Sequence, residues 1–548
     1  MSDVYAEKPW LKSYDRNVPP TLTYEDKTFA EQFRAVADRF PDKTALHYMG
    51  NKLTFGDLDR LSNRLARYFL KIGLKPDDVV GLHMPNIPAH YIGIIAVQKA
   101  GCVSTGLSPL LTPHEMEHHL TDSRAKVVIT VDLLFDKVAE VSEKASFPTV
   151  IVASIFDFLL EKIPAAPVRP LLGKTVLNFM DAIEGMPDDR VAVKRTMDDT
   201  IFMMYTGGTT GQSRGAVLSQ RSYMYNRQQL LTWCDFRTDD IALSAFPLFH
   251  IAGLTLGGVS MTNGITQICV PNPRDTHFMI QALKDLRPTF MTNVPTIYFE
   301  LIKQPEFKAL DMSGLKFCLS VAAPFPKEKI RELESIVGEN KLIELYGMTE
   351  SMVTCFNPRY GTKKPASIGI PMSDTEFKLI DPETGRIATL GEPGEICVRG
   401  PQIMKEYYMN PEETARTLRD GWIYTGDIAT MDEDGYFYIV DRVKDMVIVS
   451  GFKVFTRELD DLLALHPDVE MAAAIGMPDP DRPGSERVAM AVVLKPGVEK
   501  SAAEQEKILN FLKENVAPYK VPKVIRFMDQ LPLSGVGKIL KRELRTIM

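Results

Sequence analysis

The 548-residue sequence has little cysteine, little tryptophan and no long uninterrupted apolar run. Its six cysteines (Cys102, Cys234, Cys269, Cys318, Cys355 and Cys397) are scattered singly and form no CxxC pair. That spacing argues against a cysteine zinc site and a disulfide framework, and it points to a cytoplasmic compartment. The nine histidines show no metal-ligand spacing; His118 and His119 are adjacent and would point differently on a helix. No basic-then-apolar leader is visible, and no uncharged apolar run is long enough to span a bilayer. A basic excess is missing too. The net charge of −7 disfavours a nucleic-acid partner, since such binding relies on a basic face. Internal repeats and low-complexity tracts are absent.

What is present is an ordinary globular composition, 45% hydrophobic and 25% charged, on a chain too long for one core. Two or more domains are expected. Apolar, strand-like runs at 79–84, 125–131, 149–152 and 241–245 alternate with helical patterns at 58–72 and 90–100, which predicts an α/β architecture. From Gly394 the pattern changes to short strands and turns, with Asp432-Glu433-Asp434-Gly435 between two aromatic-rich runs. Beyond Asp441 a compact α+β segment follows: a helix at 457–465, a strand at 488–494 and a helix at 504–515, before Pro518, Pro522 and Pro532 break the chain. The segment 155–174 mixes Phe, Leu and Ile with Lys162, Arg169, Lys174 and three prolines. It reads as a linker or crossover, with contact to a membrane surface as the alternative.

Five short segments carry chemistry. The apolar run 201–204 opens into Tyr205-Thr206-Gly207-Gly208-Thr209-Thr210-Gly211-Gln212-Ser213-Arg214-Gly215. Glycines let a backbone approach an anion, Thr hydroxyls and exposed N–H groups bind phosphate oxygens, and Arg214 offers a charged fork. It is not a Walker A loop, because Ala216-Val217 stand where Lys and Ser or Thr are needed. Taken alone it could be an ordinary surface loop. Tyr346-Gly347-Met348-Thr349-Glu350 offers an aromatic face, a hydroxyl and a carboxylate suited to Mg²⁺ beside phosphate. Tyr424-Thr425-Gly426-Asp427 puts a carboxylate after a turn, where it could take both hydroxyls of a ribose. Asp441-Arg442-Val443-Lys444-Asp445 is a charge run, and Pro532-Leu533-Ser534-Gly535-Val536-Gly537-Lys538 sets one lysine behind two glycines. Each of the last three is weak by itself.

Together, and in this order, the five motifs resemble those of the adenylate-forming (AMP-binding) acyl-CoA synthetase family. The resemblance runs from about Phe29 to Leu544 and includes Met84-Pro85-Asn86, Lys99-Ala100-Gly101, Pro247-Leu248-Phe249-His250, Pro365-Ala366-Ser367-Ile368-Gly369 and Gly394-Glu395. The opening Lys8-Pro9-Trp10-Leu11 and the 155–174 segment are similar to the bacterial long-chain fatty acid branch. The resemblance implies a large N-terminal domain of layered sheets and helices with a small β-rich subdomain (1–440), a hinge (441–446) and a small mobile α+β domain (447–548). It implies ATP, Mg²⁺ and coenzyme A as cofactors and a small-molecule carboxylic acid as partner. The acid would attack the α-phosphate of ATP to give acyl-AMP and pyrophosphate, and the CoA thiol would then displace AMP. A homodimer is left open.

The resemblance also assigns residues. Thr206, Gly207, Gly208, Thr209, Thr210, Gly211 and Arg214 would hold the β- and γ-phosphates. Thr349 and Glu350 would meet the α-phosphate and, with Thr206, Mg²⁺. Ala323, Glu344, Tyr346 and Gly347 would surround adenine, and Asp427, Ile439 and Arg442 the ribose. Lys538 would bridge carboxylate and α-phosphate, with His250 also at the reacting centre. Lys444 would be the hinge, and Ser450, Gly451 and Phe452 would meet CoA. Phe249, His250, Val321, Ala322 and Met348 would line the acyl pocket. Five positions depart from the family pattern: Gly208 for Ser, Arg214 for Lys, Val321 for Gly, and Lys453 and Thr456 for Asn and Pro. Val321 either narrows the pocket toward a short, alicyclic or aromatic acid or only packs in the core; Trp233 either caps an acyl tunnel or is core. The whole-chain resemblance favours a medium- or long-chain fatty acid as substrate; an alicyclic or aromatic carboxylate CoA ligase, run in reverse to make ATP or not, and an acyl-adenylate enzyme serving a non-CoA acceptor are the alternatives.

Overall fold

The structure is a computed structural model that describes residues 4–161, 163, 167–191, 193–206, 213–321, 323, 325–449, 452–480, 482, 485–533 and 539–548. Two large mixed sheets dominate it. The first runs, edge to edge, through Glu406–Tyr407, Gly215–Ser219, Thr200–Tyr205, Val103–Gly106, Val79–His83, Val127–Val131, Thr149–Ala153 and Thr175–Asn178. Its last six strands are parallel, and the three at Val79–His83, Val127–Val131 and Thr149–Ala153 are buried along their whole length. Strands covered on both faces need apolar side chains on both, so they appear in the sequence as unbroken apolar runs. The second sheet centres on the parallel strands Leu342–Met348, Phe317–Ser320, Phe290–Asn293, Ile241–Ser244, Thr266–Cys269 and Thr44–Tyr48. Helices pack against both sheets. Phe55–Lys71 starts in a capping box, in which Thr54 accepts the Asp57 amide and Asp57 accepts the Thr54 amide.

A third, antiparallel sheet joins Glu376–Ile380, Gly394–Arg399, Trp422–Met431 and Phe437–Arg442. The two aromatic-rich runs expected after Gly394 form one hairpin of this sheet. Its turn is fixed from the far end of the chain: Trp10 is fully buried against Phe437, and a Cβ on Gly435 (φ 84°) would come within 2.5 Å of the Trp10 backbone. Only glycine fits there. After Arg442 a separate core surrounds the strands Val469–Pro478, Glu486–Leu494 and Val524–Phe527 and the helices Thr456–Leu463 and Ala502–Asn515. The ten-residue strand Val469–Pro478 was not anticipated from sequence. Between Ala153 and Thr175 no helix or strand forms among the described residues. All six cysteines are buried and unbridged.

Candidate active site

The antiparallel hairpin Thr200–Tyr205 and Gly215–Ser219 closes with the Thr206 amide donating to the Arg214 carbonyl at 3.0 Å. Gly207, Gly208, Thr209, Thr210 and Gly211 lie outside the described residues. Both legs of the loop are gripped from the helix Pro113–Asp122. Tyr205 Oη donates to Asp122 at 2.6 Å, the His118 ring bonds the Ser213 carbonyl at 2.8 Å, and the His119 ring bonds the Ser213 hydroxyl at 2.5 Å. The two histidines thus converge on one residue, against the expectation that neighbours on a helix diverge. Their side chains are long enough to reach a single loop position from two azimuths. The His119 ring also stacks on Tyr205 at 4.2 Å, and burial pushes its pKa down to about 3, so it stays neutral.

Across the gap, Leu342–Met348 delivers the second motif. A Cβ on Gly347 would lie 2.0 Å from the Met352 carbonyl oxygen, so this glycine permits the tight return into Met352–Phe356. Tyr346 Oη donates to Asp427 Oδ2 at 2.7 Å, and Arg442 Nε lies 2.9 Å from Asp427 Oδ1. Three strands therefore bring Tyr346, Asp427 and Arg442 into one bonded set. Ile439 is half-buried on the same strand as Arg442. Glu344 is buried, and its two oxygens accept the amides of Phe325 and Ala366, both at 3.2 Å. Burial pushes its pKa up to about 7. Its carboxylate ties the two segments beside Ala323 together. Ala323 itself is exposed, and Ala322 lies outside the described residues.

Thr349 is half-buried, and Glu350 is buried. Glu350 Oε1 accepts the Tyr407 hydroxyl at 2.5 Å, and desolvation raises its carboxyl above the ordinary range. A buried carboxylate held beside a phosphate loop suits Mg²⁺, because the ion would offset the lost solvation. The residues present fit the ion, and Glu350 and Thr206 would be its protein contacts.

Val321 is buried in the main core, next to the end of Phe317–Ser320, and Met348 packs against the same core. His250 caps the helix Ile251–Asn263 by accepting the Ala252 amide on Nδ1 at 3.3 Å. Phe249 is half-buried, and its backbone lies so close to Gly106 that a Cβ there would be 2.5 Å from the Phe249 oxygen. Trp233 is core: it is 1% exposed, and its indole donates to Ser373 Oγ at 3.2 Å.

Past Arg442, Lys444 is half-buried; burial and the nearby Arg442 push its pKa down to about 8. Its carbonyl accepts Arg545 at 3.2 Å. Phe452 is 56% exposed and stacks on Tyr519 at 4.8 Å. Lys453 Nζ sits 3.3 Å from Glu383 and 3.6 Å from Asp381. Ser450, Gly451 and Lys538 lie outside the described residues. Sequence reasoning set His118 and His119 aside as metal ligands and gave no role to Tyr407 or to Glu413, whose carboxylate lies 2.6 Å from the Arg214 guanidinium. None sits in a recognisable motif, and each reaches the site through a contact distant in sequence.

A family model described as AMP-binding enzyme matches residues 33–408, and one described as AMP-binding enzyme C-terminal domain matches 458–538. The chain belongs to this family, and it is an AMP-forming acyl-CoA synthetase that uses ATP and coenzyme A. It is 36% identical over 558 aligned residues to a long-chain-fatty-acid–CoA ligase of Bacillus subtilis (strain 168), covering 98% of each chain. A feruloyl-CoA synthase of an Amycolatopsis species is 35% identical over 509 residues, covering 92% of this chain and 96% of that one. ATP-bound MatB from Rhodopseudomonas palustris matches in structure at a TM-score of 0.83 with 29% identity, over 94% of this chain and 98% of MatB. Among the described residues no helix is long and apolar enough to cross a membrane.

Proposed function

We propose that this ligase activates a long-chain fatty acid, with the residue roles given by its motifs. The observation that carries the site assignment is the bonded set Tyr346–Asp427–Arg442, with Glu350 only four residues beyond Tyr346. An aromatic ring, a carboxylate and a guanidinium converging from three strands suit a nucleoside, and Glu350 suits the metal of its phosphates. Relatives that share nearly the whole chain length support the fatty acid. The feruloyl-CoA relative favours a second reading, a compact aromatic acid.

Adenylation needs no protein nucleophile. It needs the acid carboxylate in line with the α-phosphate and cations where negative charge builds. Thr206, Thr209, Thr210 and Arg214 hold the outer phosphates, Thr349 and Glu350 the inner side, and Lys538 bridges carboxylate and α-phosphate. Phe249, His250, Val321, Ala322 and Met348 shape the acyl site. Glu350 and Thr206 would hold Mg²⁺, which would neutralise phosphate charge when bound. Residues 1–440 and 447–548 act as two domains, and the second turns about Lys444 so that Ser450, Gly451 and Phe452 replace Lys538 when CoA enters. The cytoplasm is the natural site for these substrates; a homodimer and a weak membrane contact through 155–174 complete the reading.

The test is to incubate the purified protein with ATP, Mg²⁺ and CoA against fatty, cyclohexane-type and aromatic acids, reading pyrophosphate and thioester by mass. Thioester from long-chain acids alone supports the proposal, and thioester from aromatic acids alone replaces it with the second reading. Unchanged acyl-AMP formation by Lys538→Ala would remove the lysine from the mechanism.

A further inference from the structure

The chain segment 404–417 lies outside the five motifs read from the sequence, yet it touches both charged groups of the phosphate side. It enters as an edge strand: Glu406 and Tyr407 pair antiparallel with Val217 and Ala216, directly after the phosphate loop. The Lys405 amide donates to the Val217 carbonyl at 2.8 Å and the Tyr408 amide to the Gly215 carbonyl at 2.7 Å, which fixes the register. Just before it, the Met404 amide donates to the Glu350 carbonyl at 2.7 Å. This register puts Tyr407, almost fully buried, with its hydroxyl on Glu350 Oε1 at 2.5 Å and its ring 5.6 Å from the Arg214 guanidinium carbon.

The chain then turns through Met409 in a left-handed conformation (φ 49°), and Asn410 caps the short helix Pro411–Thr417 by accepting the Glu413 amide at 3.2 Å. The turn brings Glu413 Oε2 to 2.6 Å from the Arg214 guanidinium, while Glu413 Oε1 lies 2.8 Å from Arg416. An isolated surface ion pair contributes little. This one is partly shielded, with Arg214 28% and Glu413 19% exposed, and it is continuous with a ring contact and a buried carboxylate. Among the described residues Glu413 holds one terminal nitrogen of Arg214, and a guanidinium has further donors that can meet an anion. Because Arg416 shares Glu413, the carboxylate orients Arg214 without cancelling its charge.

We infer that segment 404–417 is a clasp in which Glu413 and Tyr407 are positioning residues, Glu413 aiming Arg214 at the outer phosphates of ATP and Tyr407 holding Glu350 for the divalent cation. The inference rests on the assignment of Arg214 and Glu350 given above, and it extends that assignment to two residues outside the motifs.

A double-mutant cycle tests it. Glu413→Ala raises the KM for ATP about fivefold or more and leaves the KM for the acid unchanged; in an Arg214→Ala background it adds nothing. Glu413→Gln, which keeps an acceptor oxygen, recovers part of the loss. Tyr407→Phe keeps the ring and raises the Mg²⁺ concentration for half-maximal adenylation about threefold, without a matching change in the KM for ATP at saturating Mg²⁺. An unchanged KM for ATP in Glu413→Ala, or an effect of equal size in the Arg214→Ala background, overturns the clasp. If Arg214→Ala itself leaves the KM for ATP unchanged, the phosphate assignment fails instead.

Discussion

The strand Phe437–Arg442 ends in two adjacent charged residues that face opposite ways. Arg442 reaches back to Asp427 on the neighbouring strand, on the side where Tyr346 also bonds that carboxylate. Asp441 turns forward into the next part of the chain. Its Oδ2 accepts the Thr456 amide and, at 3.0 Å, the Thr456 hydroxyl. Lys541 then donates to Thr456 Oγ1 at 2.8 Å and to Asp460 Oδ2 at 2.6 Å. Successive side chains on a strand point to opposite faces, so one strand end serves a candidate nucleoside site and anchors the following segment. Thr456, a departure from the family pattern, earns its place in this second cluster. Its hydroxyl is both donor and acceptor there, which proline could not supply.

Removing the acceptor on each face is the sharpest way to separate them. Asp427→Ala leaves the Tyr346 hydroxyl and the Arg442 guanidinium without their shared partner, and kcat/KM for ATP falls about 100-fold. Steady-state kinetics with varied ATP checks this; a change below about twofold breaks the nucleoside assignment. Asp441→Ala strips an acceptor from two buried donors and costs about 1–3 kcal/mol of stability, with little effect on the KM for ATP. Denaturant unfolding alongside kinetics measures both. Equal effects of the two variants on the KM for ATP would mean that the faces are not independent.

Glu344 sharpens the contrast between a carboxylate met by a guanidinium and one met by two backbone amides. Its pKa rises from an ordinary 4.5 to about 7 on burial. Between those values the folded chain holds more protons than the unfolded one, so this group's stabilisation is lost as pH rises through that window and levels off above it. Urea midpoints over a pH series should show the slope, and Glu344→Gln should flatten it. The smallest effect expected is that of Thr456→Val. It removes the hydroxyl but keeps the amide on Asp441, and so it costs about 0.5–1.5 kcal/mol.

Much of this is legible in the sequence. The parallel strands stand out because burial on both faces leaves an unbroken apolar run, as at Val127–Val131. Tyr346, Glu350, Asp427 and Arg442 stand out because their segments, weak singly, occur together in the order of the family they resemble. The clasp and the Asp441 cluster were not legible. Glu413 and Arg214 are far apart in sequence, and so are Asp441 and Thr456; nothing local marks either pair. Val321 was readable two ways, and the structure buries it in the main core just past the strand Phe317–Ser320.

The sequence by itself determined the class of fold, the family and the residue types the chemistry needs, because those are properties of local runs and spacing. Only the tertiary structure decided which side chains hold them in place. Strand register put Tyr407 beneath Arg214 and against Glu350. Strand alternation sent Asp441 and Arg442 to opposite faces. Loop closure brought His118 and His119 onto Ser213. Hydrogen bonds and ion pairs act over a few ångströms, and those distances exist only once the chain has folded.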